Sequence, residues 1–391
     1  MRLSLAGNGL YEGDVALLNV TLVTPPALGW VQAYPSYMSW VGASSNLNVA
    51  SFGSTVPNLV AVRVDTKSSV SVYVRGGGHL VVDLLGSFSA NGGALANEGR
   101  YVGLDPYQVA DTTTCVGIPV GCTGSPLGAS TAIKIPLAGT STVGDPDNGI
   151  PSTGNYAAVV SVTATPVTPG GWASALPGNS TGSPSTSTLN FSQGRAVTNM
   201  AIVPLTDAEG SMRLFTSAAA HYRVDVLGYF RVPAARSDLG GLFVAPAPTR
   251  LLDTRSGGGS PVPANGTTAI SLGQAGRWSG TDDIWINLTS TGATAPGQLQ
   301  ASANATTPPG NHVNVSVGGA NRTVASAAIT RLDDDGGAVV RASMPTHVIA
   351  DLVGWFTPPE QPIGPGQLSL LTTAGGSMPG PSLQVLSASS D

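Results

Sequence analysis

His79-Leu-Val-Val-Asp83-Leu-Leu-Gly86-Ser-Phe88 returns as His221-Tyr-Arg-Val-Asp225-Val-Leu-Gly228-Tyr-Phe230, and again as His347-Val-Ile-Ala-Asp351-Leu-Val-Gly354-Trp-Phe356. The pattern is H-x-x-x-D-x-[LV]-G-x-F, and its copies start 142 and 126 residues apart. Three of the chain's four histidines open a copy. A repeat of this period names a unit that is built once and used three times.

Working upstream from each copy, the same landmarks recur in order. Ala16-Leu-Leu-Asn19-Val-Thr21 matches Val159-Val-Ser161-Val-Thr163 and Ile284-Trp-Ile-Asn287-Leu-Thr289. A turn then leads to Trp30, Trp172 or Gln298. Ser45-Asn-Leu-Asn48 and Ser187-Thr-Leu-Asn190 follow, with His312-Val-Asn314 read as their counterpart. Val56-Pro-Asn58, Val197-Thr-Asn199 and Val324-Ala-Ser326 complete the series. The segments are short, rich in β-branched residues and separated by Gly, Pro, Ser and Asn, which predicts an all-β fold. The expected architecture is three tandem antiparallel β-sandwich repeats (jelly-roll/Ig-like), over residues 1–95, 98–235 and 240–358. A Pro/Gly-rich linker and strand-like tail occupy 359–391.

Composition supports that class. Glycine and proline number 51 and 30 of 391 residues, and helices tolerate both poorly. Charged residues are only 10%, while apolar residues are 41%, enough to bury a core and so to argue against disorder. A net charge of −5 offers no basic footprint, so no nucleic-acid partner is expected. No apolar run approaches the roughly 18–20 residues of a membrane span. The opening stretch from Met1 to Asp14 has too short an apolar run for a leader, which leaves three readings: a signal upstream, export by another route, or no export. Cys115 and Cys122 suit a small disulfide-closed loop in an oxidising compartment, with two free thiols the other reading. A metal there lacks a third ligand.

The third repeat opens Arg250-Leu-Leu-Asp253-Thr-Arg255-Ser-Gly-Gly and closes on its H-x-x-x-D motif. This combination resembles a repeat of secreted actinobacterial proteins, found beside cell-wall hydrolases and in large surface proteins. The resemblance covers nearly all of 247–358 and implies an extracellular, cell-surface location. The second repeat keeps Asp111-Thr112 without the arginines, and the first lacks the opening altogether. One strand is therefore expected to be missing from the first repeat.

In a strand, residues four apart share a face roughly 13 Å apart, so the motif His and Asp are too distant for direct contact. The motif is expected to be structural in every copy (His79, Asp83, Gly86, Phe88; His221, Asp225, Gly228, Phe230; His347, Asp351, Gly354, Phe356), with Gly at a bulge and Phe in the core. Arg250, Asp253 and Arg255 suggest a local ion pair. Asp333-Asp334-Asp335-Gly-Gly lacks the spacing of a calcium loop and reads as a polar hairpin turn, with weak calcium binding the lesser alternative. No nucleophile–base pair, paired carboxylates or cofactor motif stands out, so neither enzyme activity nor a cofactor is expected.

Two functions remain. The first is a surface protein that polymerises head to tail into an extracellular filament or layer. Its tail would act as a donor strand (Leu368, Leu370, Leu371, Leu383, Val385) completing the first repeat of the next subunit. Here Leu370-Leu-Thr-Thr aligns with Leu251-Leu-Asp253-Thr. The second is a cell-wall glycan-binding module using the first repeat's Trp30, Tyr34, Tyr37 and Trp40, since sugars stack on aromatic faces, with an intersubunit contact the other reading of the same patch.

Overall fold

The computed structural model describes residues 1–391 except 39–40, 43, 50, 52, 91–98, 119–120, 232–239, 273–282, 358–365, 367, 372–381 and 389–391, and over 382–388 the backbone alone. Among the described residues the one helical element is a 3-10 turn at Ser256–Gly258. Everything else is strand, turn and loop.

Each repeat forms two small sheets, and the second adds a two-stranded ribbon of Ser141–Thr142 with Asp145–Gly149. In the first repeat, Val15–Val23 lies between Gly78–Phe88 and Val56–Arg63. Its companion sheet runs Arg2–Ser4, Ser69–Arg75, Gly29–Pro35, Leu47–Val49. The second repeat places Asn155–Pro166 between Ala220–Arg231 and Val197–Pro204, with Arg100–Asp111 on the far side of Ala220–Arg231. The third places Asp283–Thr291 between His347–Phe356 and Val324–Arg331. All these pairings are antiparallel. The sheet that carries the H-x-x-x-D motif is called the motif sheet below.

The six sheets are arranged as a six-bladed β-propeller, which corrects the expectation of three sandwiches in tandem. The physical reason lies in where apolar side chains go. Each repeat buries one apolar core between its own sheets. A fourth core draws on all three motif sheets at once, with Leu17, Val159 and Trp285 from the central strands and Phe88, Phe230 and Phe356 from the motif strands. The three phenylalanine ring centroids stand 6.1, 6.2 and 6.5 Å apart, an almost equilateral triangle. Phe243 and Tyr101 pack between them, with centroids 4.3 Å from Phe88 and 4.2 Å from Phe356. Independent tandem domains would leave this second face of each motif sheet in water.

The tail closes this assembly within its own chain. Leu368–Leu370 pairs with Phe88–Gly86, and Ser382–Ala388 pairs with the earlier half of the same strand, from Asp83 to Gly78. Leu368 and Leu370 join the fourth core, while Leu371 packs on the core of the first repeat. Gly366 adopts φ +104, donates its N–H to Ser89 O at 2.6 Å and accepts from Phe243 N–H at 2.9 Å. A Cβ there would collide with the Phe243 backbone, so this link between first and third repeats needs glycine. The donor-strand filament is thus overturned: the edge it required is already covered in cis. For separate tandem domains such a return would have to pass all three. The ring removes that distance, because the third repeat ends beside the first.

Candidate functional site

The motif residues sit where the repeats meet. Before each motif glycine one residue is bulged out of register, at Leu85, Leu227 and Val353. The glycine then lets a neighbour lie on the strand. A Cβ on Gly86 would strike Ser369 O, on Gly228 the Tyr101 hydroxyl, and on Gly354 the Phe243 ring. Tyr101 Oη donates to the bulged Leu227 carbonyl at 3.1 Å. The glycine and the covering strand are therefore one device.

His221 and His347 are tied to the opening Asp-Thr of their repeats rather than to the motif aspartates, while His79, whose repeat has no such opening, is exposed. His347 Nδ1 lies 3.1 Å from Thr254 Oγ1 and His221 Nδ1 3.4 Å from Thr112 Oγ1. The same hydroxyls accept the backbone N–H of Val348 and Tyr222. Among the described residues no group of three or more His, Cys, Asp or Glu is placed to hold a metal.

The three aspartates are buried, yet their surroundings differ. Asp351 takes a two-pronged contact from Arg250, at 2.8 and 3.2 Å, and Arg250 also reaches Asp253. Arg255 completes the cluster on Asp253, whose carboxyl is drawn down to about 2, chiefly by that bond. Asp225 meets Arg223 at 2.8 Å and accepts the Val313 N–H. Burial nonetheless pushes Asp225 up to about 7. Among the described residues Asp83 has a long 3.5 Å contact from Asn19, and its buried Oδ1 meets no partner. Burial raises Asp83 and Asp351 as well.

The central-strand polar residues reach across repeats in a cycle. Asn19 Nδ2 donates to Ser187 O of the second repeat at 2.8 Å. Ser161 Oγ donates to Val313 O of the third, and Asn287 Nδ2 to Ser45 O of the first. First hands to second, second to third, third to first. The same geometry corrects one sequence match. The N–H groups of Ala33, Ala175 and Ala301 bond to Asn46, Thr188 and Asn314, so Asn314 corresponds to Asn46 and Ser316 to Asn48 and Asn190.

The tail match also shifts. Leu368 faces Phe88 as Phe243 faces Phe356 and Tyr101 faces Phe230, whereas Ser382 faces Asp83 as Arg250 faces Asp351. Leu370 therefore does not stand at the place of Leu251. Leu383 and Val385 lie in Ser382–Ala388, described as backbone alone.

Cys115 and Cys122 form a disulfide, with Cα atoms 5.7 Å apart, closing the loop after Arg100–Asp111. Asp333 accepts the N–H of Asp335 and Gly337, a hairpin cap that Asp65 and Asp207 repeat toward Ser69 and Ser211.

Trp30 stands on the companion sheet with its ring 5.0 Å from Tyr73, and Trp172 stands 5.3 Å from Phe215 at the same place in the second repeat. In the third repeat that pair is Gln298 and Arg341, by strand register. Trp30 and Trp172 are half-buried and lie opposite Asn48 and Asn190 on the same sheet face. Tyr34 is half-buried, Tyr37 is exposed, and Trp40 lies outside the described residues. Sequence reasoning missed Tyr73 and Phe215 as partners, although each follows its tryptophan by 43 residues.

No helix among the described residues is long and apolar enough to cross a membrane. No protein-family model matches the chain, and no curated protein matches it. Among solved structures, a "putative secreted protein" from Parabacteroides distasonis is 9% identical, covering 72% of this chain and 96% of that one at a TM-score of 0.11, too low a likeness to carry an argument.

Proposed function

We propose that this chain is a non-enzymatic extracellular protein that binds cell-wall glycan. The observation that carries the reading is the aromatic pair on the companion sheets, Trp30 with Tyr73 and Trp172 with Phe215, each beside an asparagine. A half-buried indole offers a flat apolar face, and a neighbouring amide supplies donors and acceptors for hydroxyl groups. Two such platforms on one rigid ring bind a polymer more tightly than either alone, provided the polymer spans both. The resemblance of the third repeat to those of actinobacterial surface proteins supports the location. The motif residues of the strands serve the architecture in this reading, and the aromatic faces lie apart from them.

Retention on purified cell walls, together with a glycan array, tests this. Trp30→Ala and Trp172→Ala combined should abolish retention while leaving the melting temperature within a few degrees of the parent. Retention that survives the double substitution, in a folded protein, overturns the reading.

A further inference from the structure

The strands Val56–Arg63, Val197–Pro204 and Val324–Arg331 contact one another in turn, so they surround the axis that relates the repeats. At the end where these strands begin, an open pocket of about 110 Å³ is lined by all three repeats. Val56, Val197 and Val324 form one tier, and Asn48, Asn190 and Ser316 another. Two residues before each valine stand Ser54, Arg195 and Arg322, and all three line the pocket.

The two arginines are held, not loose. A Cβ on Gly318 would lie 2.8 Å from Arg195 Cβ, and one on Gly319 would lie 3.2 Å from Arg322 Nε. One two-glycine turn of the third repeat therefore supports the stem of one arginine and the head of the other. The lining contains no carboxylate, and among the described residues neither arginine makes an ion pair. Elsewhere the chain pairs Arg2 with Asp65, Arg223 with Asp225, Arg250 with Asp351 and Arg255 with Asp253. Burial and the neighbouring Arg195 both disfavour the charged form of Arg322. Two guanidinium groups converging on a concave site without a counter-charge are an unfavourable arrangement that an anion relieves.

We propose that this axial pocket binds an oxyanion, through Arg195 and Arg322 acting together. The ligand group is a carboxylate, sulfate or phosphate, for which the planar guanidinium fork is suited. Ser54 at the third position brings no third charge, and its hydroxyl donates to the Ser51 carbonyl at 2.7 Å, so the two guanidinium groups alone face the ligand, which fits one or two negative charges. The site is separate from the aromatic platforms, and the inference does not depend on them.

Calorimetric titration of the full chain with inorganic phosphate, at fixed ionic strength because free charges are screened by salt, should give saturable one-to-one binding. Arg195→Gln or Arg322→Gln should weaken it by about tenfold or more, as expected for loss of a charge-assisted bond. The double variant should melt in chloride no lower than the parent, because a repulsion is removed. Trp30→Ala should leave phosphate binding unchanged. A uronic-acid oligosaccharide titrated beside its neutral analogue separates a polymer-borne carboxylate from a phosphate ligand. If the glutamine variants fail to fold, Arg→Lys at both positions keeps the charge and removes the fork. Absence of saturable binding by both phosphate and the uronate in the unmodified protein overturns the proposal. Binding that the folded double variant retains overturns it equally.

Discussion

The first and third repeats use the same motif strand, yet cover its free edge from opposite ends of the chain. In the third, the preceding segments Phe243–Val244 and Thr249–Asp253 lie on His347–Phe356. In the first, the tail does so, with Leu368–Leu370 and Ser382–Ala388 at the corresponding places. The third repeat thereby brings Arg250 to its buried Asp351, while the first brings Ser382 to Asp83. Shape is restored in both, and among the described residues a cation reaches the motif aspartate in the third but not in the first. Backbone pairing and core filling evidently decide whether the edge is closed, and electrostatics is settled locally. In the second repeat the cation comes from Arg223 on the motif strand itself.

Removing residues 367–391 should give the largest effect. It uncovers the strand Gly78–Phe88 and withdraws Leu368 and Leu370 from the shared core, so both stability and cooperativity should fall. An exposed flat edge invites pairing with another chain. The truncated protein should accordingly self-associate, as read by light scattering, whereas a donor-strand filament demands the reverse. If the truncated protein remains monomeric and melts like the parent, the tail is not the closing element.

Phe230→Ala comes next, at roughly 3–5 kcal/mol for a buried ring. Because Phe88, Phe230 and Phe356 pack on one another, the loss should lower a single transition for the whole ring. Calorimetry that resolves a separate transition of the second repeat, with the others unmoved, contradicts a common core.

The aspartates give the smallest and most discriminating effect. Asp225 titrates near 7 in the fold against about 3.9 when unfolded, so the folded state holds the extra proton. Its contribution is therefore most favourable below about pH 4 and is lost as pH rises through about 7. Asp225→Asn should flatten that decline in chemical denaturation followed from pH 4 to 8, while leaving Arg223 without its carboxylate. Asp83→Asn strands no cation among the described residues and should raise stability by about 1 kcal/mol at pH 8, since it removes a buried carboxylate that burial disfavours. An Asp83→Asn protein less stable than the parent at pH 8 shows instead that the fold compensates the Asp83 carboxylate.

Much of the unit was legible in the sequence, because its polar landmarks recur at fixed places. Strand positions, the motif glycine and the repeat count follow from them. The arrangement of units did not follow, although a signal was present. Val15–Val23 reads VALLNVTLV, apolar on both faces, and is buried for all but its last residue. Such a run belongs to a strand covered on two sides, while a sheet wetted on one side alternates. Asn19 and Asn287 interrupt these runs where a neighbouring repeat supplies a carbonyl. Without the neighbour in view they read as local ties. The axial arginines were reachable by the same alignment, two places before Val197 and Val324. They carry no local pattern, and only the ring brings them together.

The cyclic hand-over of hydrogen bonds has a consequence for how such a ring can vary. Every repeat carries both the donor on its central strand and the acceptor carbonyl on its loop, Ser45, Ser187 or Val313. Three separate copies of one repeat contain both halves of each hydrogen bond in this cycle, as in a closed homotrimer with head-to-tail interfaces. Joining them in one polypeptide raises their effective concentration and relieves any single contact of holding the ring alone. Each copy is then free to diverge at places a symmetric trimer must keep identical. The axis shows that freedom, since Ser54, Arg195 and Arg322 occupy one structural position with two different chemistries. A true trimer places one residue there three times. Fusion lets the pocket at the axis be asymmetric, and so able to prefer one orientation of an asymmetric ligand.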